Sequence, residues 1–167
     1  MNKNSCMIAK RLAAFLFAVI FACALFASCQ KTEEPKKDAK VDEIYDELIA
    51  TGNFTELSKV PEYQLMDGYG IDASHLKQWV MAFPLNYYED ACQISIFEVN
   101  DESYAAEVAN KLSSMLTQTK NTAKGYSDPE KAKVIEQSEV VTVGNFVYCI
   151  AGKNYNDLMK IMKKYIG

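Results

Sequence analysis

The chain has 167 residues, a length that indicates one folded domain, and its 49% hydrophobic and 24% charged residues are ordinary for a globular protein. Its 18 basic and 22 acidic side chains give a net charge of −4. This charge argues against a nucleic-acid partner, because such binding depends on neutralising phosphates. A single histidine excludes a metal site built from several histidines, and we expect neither a metal nor a cofactor.

The N-terminus has the pattern of a secretory signal. The basic residues Lys3, Lys10 and Arg11 precede an uncharged apolar run over 12–27. This run is shorter than the roughly 20 residues of a membrane-spanning helix, and with its basic start it is typical of an export signal. The segment LFASC at 25–29 resembles the bacterial lipobox, in which small residues precede a cysteine that becomes acylated.

We therefore expect residues 1–28 to be a signal peptide and Cys29 to carry a lipid anchor whose acyl chains include palmitate. An uncleaved membrane anchor is the alternative, and either one tethers the domain to a membrane. Removing the signal leaves 15 basic and 22 acidic residues, a net charge of −7. Residues 30–40 contain no large apolar side chain, so residues 29–40 are interpreted as lipid anchor and flexible tether. The folded domain is expected to cover 41–167.

The first half of this domain is predicted to contain two helices. Apolar residues recur at helical intervals over 41–49 and again, in a shorter stretch, over 76–83. The segment 53–70 contains one proline and two glycines, and we interpret it as a loop with a short strand near 63–66.

The second half begins with a strand over 91–99 and a helix of about four turns that starts near Asn100. One further helical turn is expected at 130–133. A C-terminal helix is predicted to start after Asn154, which is expected to cap it, and to extend to Ile166.

The clearest local signal is the segment EVVTVGNFVYCIA over 139–151. Two β-rich runs flank Gly144-Asn145, a pair suited to a two-residue hairpin turn. The predicted register pairs Val143 with Phe146, Val141 with Tyr148 and Val140 with Cys149. The second strand is almost wholly apolar, so we expect it to be central, with the 91–99 strand on its other side.

This order of elements implies an α+β fold. We expect a small, mainly antiparallel sheet of three to four strands, including the C-terminal hairpin, with helices packed on one face.

From residue 41 onward the chain resembles a family of small bacterial lipoproteins with a domain of unknown function (DUF4358-like). The resemblance lies in the opening VDEIYDELI, the YGID segment at 69–72, the passage IFEVNDESYAAEVANKL and the closing VVTVGNFVYCIAG. It covers most of residues 41–165. The resemblance implies the same tethered architecture and supplies no catalytic or binding residue.

Two cysteines and the histidine are the candidates for nucleophilic chemistry in the domain. Cys92 and Cys149 fall on strands expected to be neighbours, so they are either two buried thiols or a cross-strand disulfide. Neither has a basic neighbour in sequence that would activate it. Nothing near His75 resembles a nucleophile elbow, and we interpret it as a residue of a helix surface.

Aromatic residues suggest recognition more than catalysis. Tyr63, Tyr69, Tyr87 and Tyr88 fall in predicted loops, where aromatics with polar tips suit a binding surface, although they could equally cap the small core. The sequence favours a non-enzymatic binding or interaction module on the extracytoplasmic face of the cell membrane, with an envelope protein or glycan as partner. The alternatives are an enzyme or enzyme accessory acting on envelope material, and a small solute-binding lipoprotein.

Overall fold

The computed structural model describes residues 39–86, 91–125 and 129–167. The expected signal peptide, the lipid attachment at Cys29 and nearly all of the tether lie outside the described residues. Tyr87 and Tyr88 also lie outside them.

An antiparallel sheet of five strands forms the centre of the described domain. The strands are β1 (Leu57–Lys59), β2 (Leu76–Pro84), β3 (Gln93–Val99), β4 (Val140–Val143) and β5 (Phe146–Ala151). Their order across the sheet is β1-β2-β3-β5-β4, and every neighbouring pair is antiparallel. The α+β class is therefore confirmed, and the sheet has more strands than the three to four expected.

Helices cover both faces of this sheet rather than one. The described helices are α1 (Val41–Ala50), α2 (Glu62–Tyr69), α3 (Glu102–Ala123), α4 (Pro129–Glu136) and α5 (Tyr155–Tyr165), with a 3₁₀ turn at Ala73–His75. Helices α1 and α5 pack on one face, and α2, α3 and α4 pack on the other. The expectation of a single covered face was wrong. Every residue of β3 and β5 is buried, so both faces of these strands need cover.

The largest correction concerns residues 76–83, which form strand β2 and not a helix. Val80 lies in the core beneath α1 and α5, while its neighbour Met81 lies in the core on the other face. A strand that is buried on both sides has apolar residues at many spacings, and some of them coincide with helical intervals.

The loop predicted over 53–70 also contains more structure than expected. It holds β1 and α2, so the short strand expected at 63–66 lies inside a helix. Helix α2 ends at Gly70, whose φ of 67° is the left-handed conformation that glycine adopts readily at helix ends.

The C-terminal hairpin is confirmed together with its register. Val143 pairs with Phe146, Val141 with Tyr148 and Val140 with Cys149, and β3 flanks β5 on the other side. The turn has Gly144 at a φ of 54°.

Asn154 does precede α5, but its side chain makes no cap hydrogen bond there. The side-chain amide of Asn154 donates instead to Oδ1 of Asn53 at 2.9 Å, so this residue joins two loops rather than capping the helix.

Candidate functional site

Two loops meet at one end of the sheet, where β2 ends, β3 begins and β5 ends. The backbone amide of Lys153 donates to the carbonyl of Asn53 at 3.1 Å, beside the bond between the side chains of Asn154 and Asn53. The ring of Phe54 lies against Gly152, and a Cβ placed there would approach Cε1 of Phe54 to 2.8 Å. The absence of a side chain at position 152 therefore lets these loops pack closely.

The same end of the sheet carries a groove made of two adjoining clefts. The first cleft has a volume of about 520 Å³ and the second of about 700 Å³. They share Glu130, Val134 and Lys153, so the clefts run into one another. We call the pair the sheet-end groove.

The two clefts differ in chemical character. The first has Pro84, Leu85 and Val134 among its walls, and Leu85 is 70% exposed. The second lies along the start of α5, and its lining residues are mainly polar or charged, with Lys133 and Lys160 among them. One end of the groove therefore offers apolar contact and the other end offers charge.

Lysines in the groove have few counter-ions. Among the described residues Lys131, Lys133 and Lys153 make no salt bridge, whereas Lys160 binds Asp157 at 2.6 Å. The acidic residues Glu56 and Glu130 also line the groove. Residues 39–110 contain 3 basic and 14 acidic residues, whereas residues 111–167 contain 9 and 5. The groove draws its cations from this basic second part of an otherwise acidic chain.

Cys149 is poorly suited to nucleophilic catalysis. It is fully buried, and burial raises the pKa of its thiol to about 11. The side-chain amide of Gln93 donates to its sulfur at 3.1 Å. A thiol with so high a pKa is almost entirely protonated at neutral pH, and the thiolate is the nucleophile.

Cys92, the other cysteine of the domain, lies at the floor of the sheet-end groove with only 2% of its surface exposed. Both cysteines are thiols in the structure. Cys149 pairs with Ser95, three residues beyond Cys92, which is about 10 Å along a strand. Cysteines this far apart exceed the Cα separation of about 7 Å that a disulfide tolerates. The cross-strand disulfide is therefore not formed.

Of the four tyrosines, only Tyr63 and Tyr69 lie among the described residues. Tyr63 is 72% exposed on α2. Tyr69, at the end of the same helix, is half-buried and stacks on Phe83 with 5.9 Å between ring centroids. Tyr69 thus supports the core, and only Tyr63 is freely presented there.

His75 lies at the opposite end of the sheet from the groove. It is exposed in the 3₁₀ turn, and its ring is 4.7 Å from that of Tyr104. The ring contacts and hydrogen bonds of the described residues include none between His75 and a cysteine. In the parts of the chain that the structure describes, no cluster of His, Cys, Asp or Glu could hold a metal ion.

A buried carboxylate organises that opposite end of the sheet. Glu98 accepts hydrogen bonds from Lys77 at 2.8 Å, from Gln78 at 2.5 Å and from Asn145 at 3.1 Å. Gln78 also donates to the carbonyl of Ala39 at 2.7 Å and accepts from the amide of Val41 at 2.8 Å. These contacts satisfy the carboxylate and hold the start of the domain, which indicates a structural role.

This network also fixes where the chain enters the domain. Gln78 holds Ala39 near the start of β2, and the groove lies beyond Pro84 at the end of that strand. Six residues of strand separate the two positions by about 20 Å.

With the fold and the groove described, comparison with known proteins places the chain in a family. The family model described as Domain of unknown function (DUF4358) matches residues 50–152, and the chain belongs to this family. The matched range includes all five strands. No curated protein and no solved structure matches the chain. None of the helices in the described part of the chain combines the length and apolar character that a membrane span needs.

Sequence reasoning missed the groove lysines. The whole hairpin separates Lys131 and Lys133 from Lys153 in the chain. Only the fold brings the three lysines to one groove. The change in charge balance near residue 111 is the signal in the sequence that could have directed attention to them.

Proposed function

We propose that this protein is a non-enzymatic binding module, held by a lipid on Cys29 at the extracytoplasmic face of the cell membrane, and that the sheet-end groove is its ligand site. The observation that carries the proposal is the groove itself. Two adjoining clefts combine an apolar wall with lysines that make no salt bridge among the described residues. Concave sites with a few placed polar groups are the usual form of ligand sites.

The position of the groove supports this proposal. The chain enters the domain at Ala39, about 20 Å along β2 from the groove. A lipid attached before the tether would thus join the domain at a point distant from the groove, and this separation favours access for a partner in the envelope. The sequence pattern at Cys29 indicates where the lipid is attached. The ligands that this location favours are proteins and glycans of the cell envelope.

An enzyme is less well supported by the same groove. Its described lining contains no histidine, and its one cysteine is 2% exposed. The other domain cysteine has a pKa of about 11 because it is buried. General acid–base catalysis needs groups that exchange protons near the working pH. Burial raises the pKa of Tyr155, which lines the second cleft, further from that range.

The test is site-specific photocrosslinking in living cells. A photoreactive phenylalanine analogue replaces Leu85 at the groove rim in one strain and Ser74, exposed at the other end of the sheet, in a second strain. We expect an adduct of defined mass from position 85 and none from position 74. Adducts that are identical at both positions, or absent at position 85, would contradict the assignment of the groove.

A further inference from the structure

We infer that the ligand of the sheet-end groove is an extended acidic peptide segment that carries at least one apolar side chain. This inference rests on the proposed function and specifies its ligand. It follows from the distribution of charge along the groove, the apolar wall at one end and the charge of the rest of the chain.

Three of the four lysines that line the groove make no salt bridge among the described residues. Lys131 is half-buried on α4, and neither it nor Lys133 or Lys153 makes a salt bridge within the described residues. Lys133 and Lys153 are exposed. An anionic ligand would supply the counter-charge that these lysines lack within the described residues.

The lysines do not converge on one point. Lys131 lines the first cleft, Lys133 lines the second, and Lys153 lines both. Lys131 and Lys133 are two residues apart on α4, so they project in different directions from the helix. A single small anion could meet only one of them, whereas an extended chain with several carboxylates can meet all three.

The first cleft argues for a peptide rather than a purely charged polymer. Leu85, which is 70% exposed, stands with Pro84 and Val134 at this end of the groove. Glu56 lines only this cleft and disfavours acidic side chains beside it, whereas Glu130 lines both clefts. We therefore place an apolar side chain of the ligand against Leu85 in the first cleft, with its acidic side chains beside Lys131 in that cleft and beside Lys133 and Lys153 along the second.

The charge of the rest of the chain favours a short peptide over a long polyanion as the ligand. The net charge of −7 expected after removal of the signal disfavours long polyanions, which would pass the acidic residues outside the groove. A short peptide segment can keep its carboxylates within the groove. Electrostatic complementarity of this kind sets specificity and association rate more than raw affinity.

The experiment uses the full-length protein in detergent micelles and two fluorescent peptides of about twelve residues. One peptide alternates Glu and Leu, and the other has Gln in place of every Glu. Binding is measured by fluorescence anisotropy for the wild type and for the triple variant Lys131→Gln/Lys133→Gln/Lys153→Gln. The matched control, Lys40→Gln/Lys124→Gln/Lys163→Gln, removes the same charge from exposed sites outside the lining of the groove.

We expect the Glu peptide to bind the wild type and the groove variant to raise its Kd about tenfold, which equals about 1.4 kcal/mol. The control variant should change Kd by less than about twofold, because its three lysines do not line the groove and would make no direct contact with the peptide. Circular dichroism of both variants should match the wild type. Equal weakening in the two variants, equal binding of the Gln peptide, or no binding of either peptide would overturn the inference.

Failure of this inference is distinguishable from failure of the proposed function. If position 85 forms its cellular adduct equally well in the groove variant, the groove binds a ligand but that ligand is not an acidic segment. If the adduct has the mass of two copies of this chain, a second copy occupies the groove and the peptide is excluded. If position 85 forms no adduct, the groove assignment itself fails.

Discussion

Gly152 is the residue at which the two loops beneath the groove approach most closely. In Gly152→Ala the new Cβ would lie 2.7 Å from Cδ1 of Leu158 and 2.8 Å from Cε1 of Phe54. These atoms belong to packed side chains, so the loops must shift, and we expect the free energy of unfolding to fall by about 1–3 kcal/mol. Urea denaturation followed by the fluorescence of Trp79, the single tryptophan, measures this change.

Gly68→Ala is the matched control for this substitution. Gly68 lies inside α2, and a Cβ there would meet no atom within 4 Å. Alanine favours the helix over glycine, so this variant should be more stable by about 0.5–1 kcal/mol. A loss of stability of similar size in both variants would show that close packing at Gly152 is not the cause.

Cys149 makes stability depend on pH above the neutral range. Burial raises the pKa of its thiol from 9.0 to about 11, so the unfolded chain loses this proton at lower pH than the folded chain. Stability from the buried thiol is complete below pH 9 and is lost as the pH rises towards 11. Between pH 8 and pH 10 the free energy of unfolding should fall by about 1 kcal/mol through this group.

The variant Cys149→Ser isolates that contribution, since serine has no ionisation in this range and can still accept the bond from Gln93. Its urea midpoint should depend less on pH between 8 and 10 than that of the wild type. Burial raises the pKa of Tyr148 to about 12, from an ordinary value of 10.0, so its larger effect falls above this window. Parallel pH profiles for the two proteins would rule out Cys149 as a source of the dependence.

At the scale of elements, the parts that were predictable are those whose partners are close in sequence. The hairpin over 140–151 needs only a glycine with positive φ and two β-rich runs beside it, so its register was read correctly. Helix α3 begins beside Asp101, whose carboxylate accepts from the amide of Ser103 at 2.9 Å, and this start signal is also local.

Elements that depend on distant partners were not predictable from one sequence. Strand β2 is a strand because β1 and β3 flank it, and β1 is only three residues long. Its apolar residues fit a helical spacing equally well until both cores are known. The prediction of a single covered face was wrong for the same reason. The spacing of apolar residues within a strand does not show which helices will pack on each side of the sheet.

The groove could not be predicted from the sequence for a related reason, because its residues come from separate elements. Lys131 belongs to α4 and Lys153 to the loop after β5, while Leu85 follows β2. Sequence shows that these residues are charged or apolar. Only the fold shows that they meet and that the lysines lack counter-ions among the described residues.

At the scale of the whole molecule, the two ends of the sheet carry different features. The end near Gln78 holds the start of the domain through the network around Glu98. The other end carries the groove, with Lys131, Lys133 and Lys153, which make no salt bridge among the described residues. Strand β2 connects the two ends, so the start of the described domain and the groove lie about 20 Å apart.

Anchoring through Cys29 is the prediction that tests this arrangement. Cys29→Ala removes the acceptor for the lipid, so we expect the protein to lose palmitate labelling and to leave the membrane fraction almost completely. Cys23→Ala, a change of the same kind six residues earlier, should keep both properties. Fractionation of cells, followed by detection of the protein in each fraction, measures the outcome. A Cys29→Ala protein that stays in the membrane fraction would instead support the uncleaved anchor.

The same pair of variants connects anchoring to the groove. Residues 29–40 could extend to about 40 Å, enough to carry the groove well away from the lipid surface. If the ligand belongs to the envelope, Cys29→Ala should greatly reduce the adduct formed at position 85, and Cys23→Ala should not. The groove would remain intact in both proteins, so the binding of the Glu peptide in solution should be unchanged. A reduced adduct with unchanged peptide affinity would show that the lipid acts by keeping the groove close to its ligand and not by shaping it.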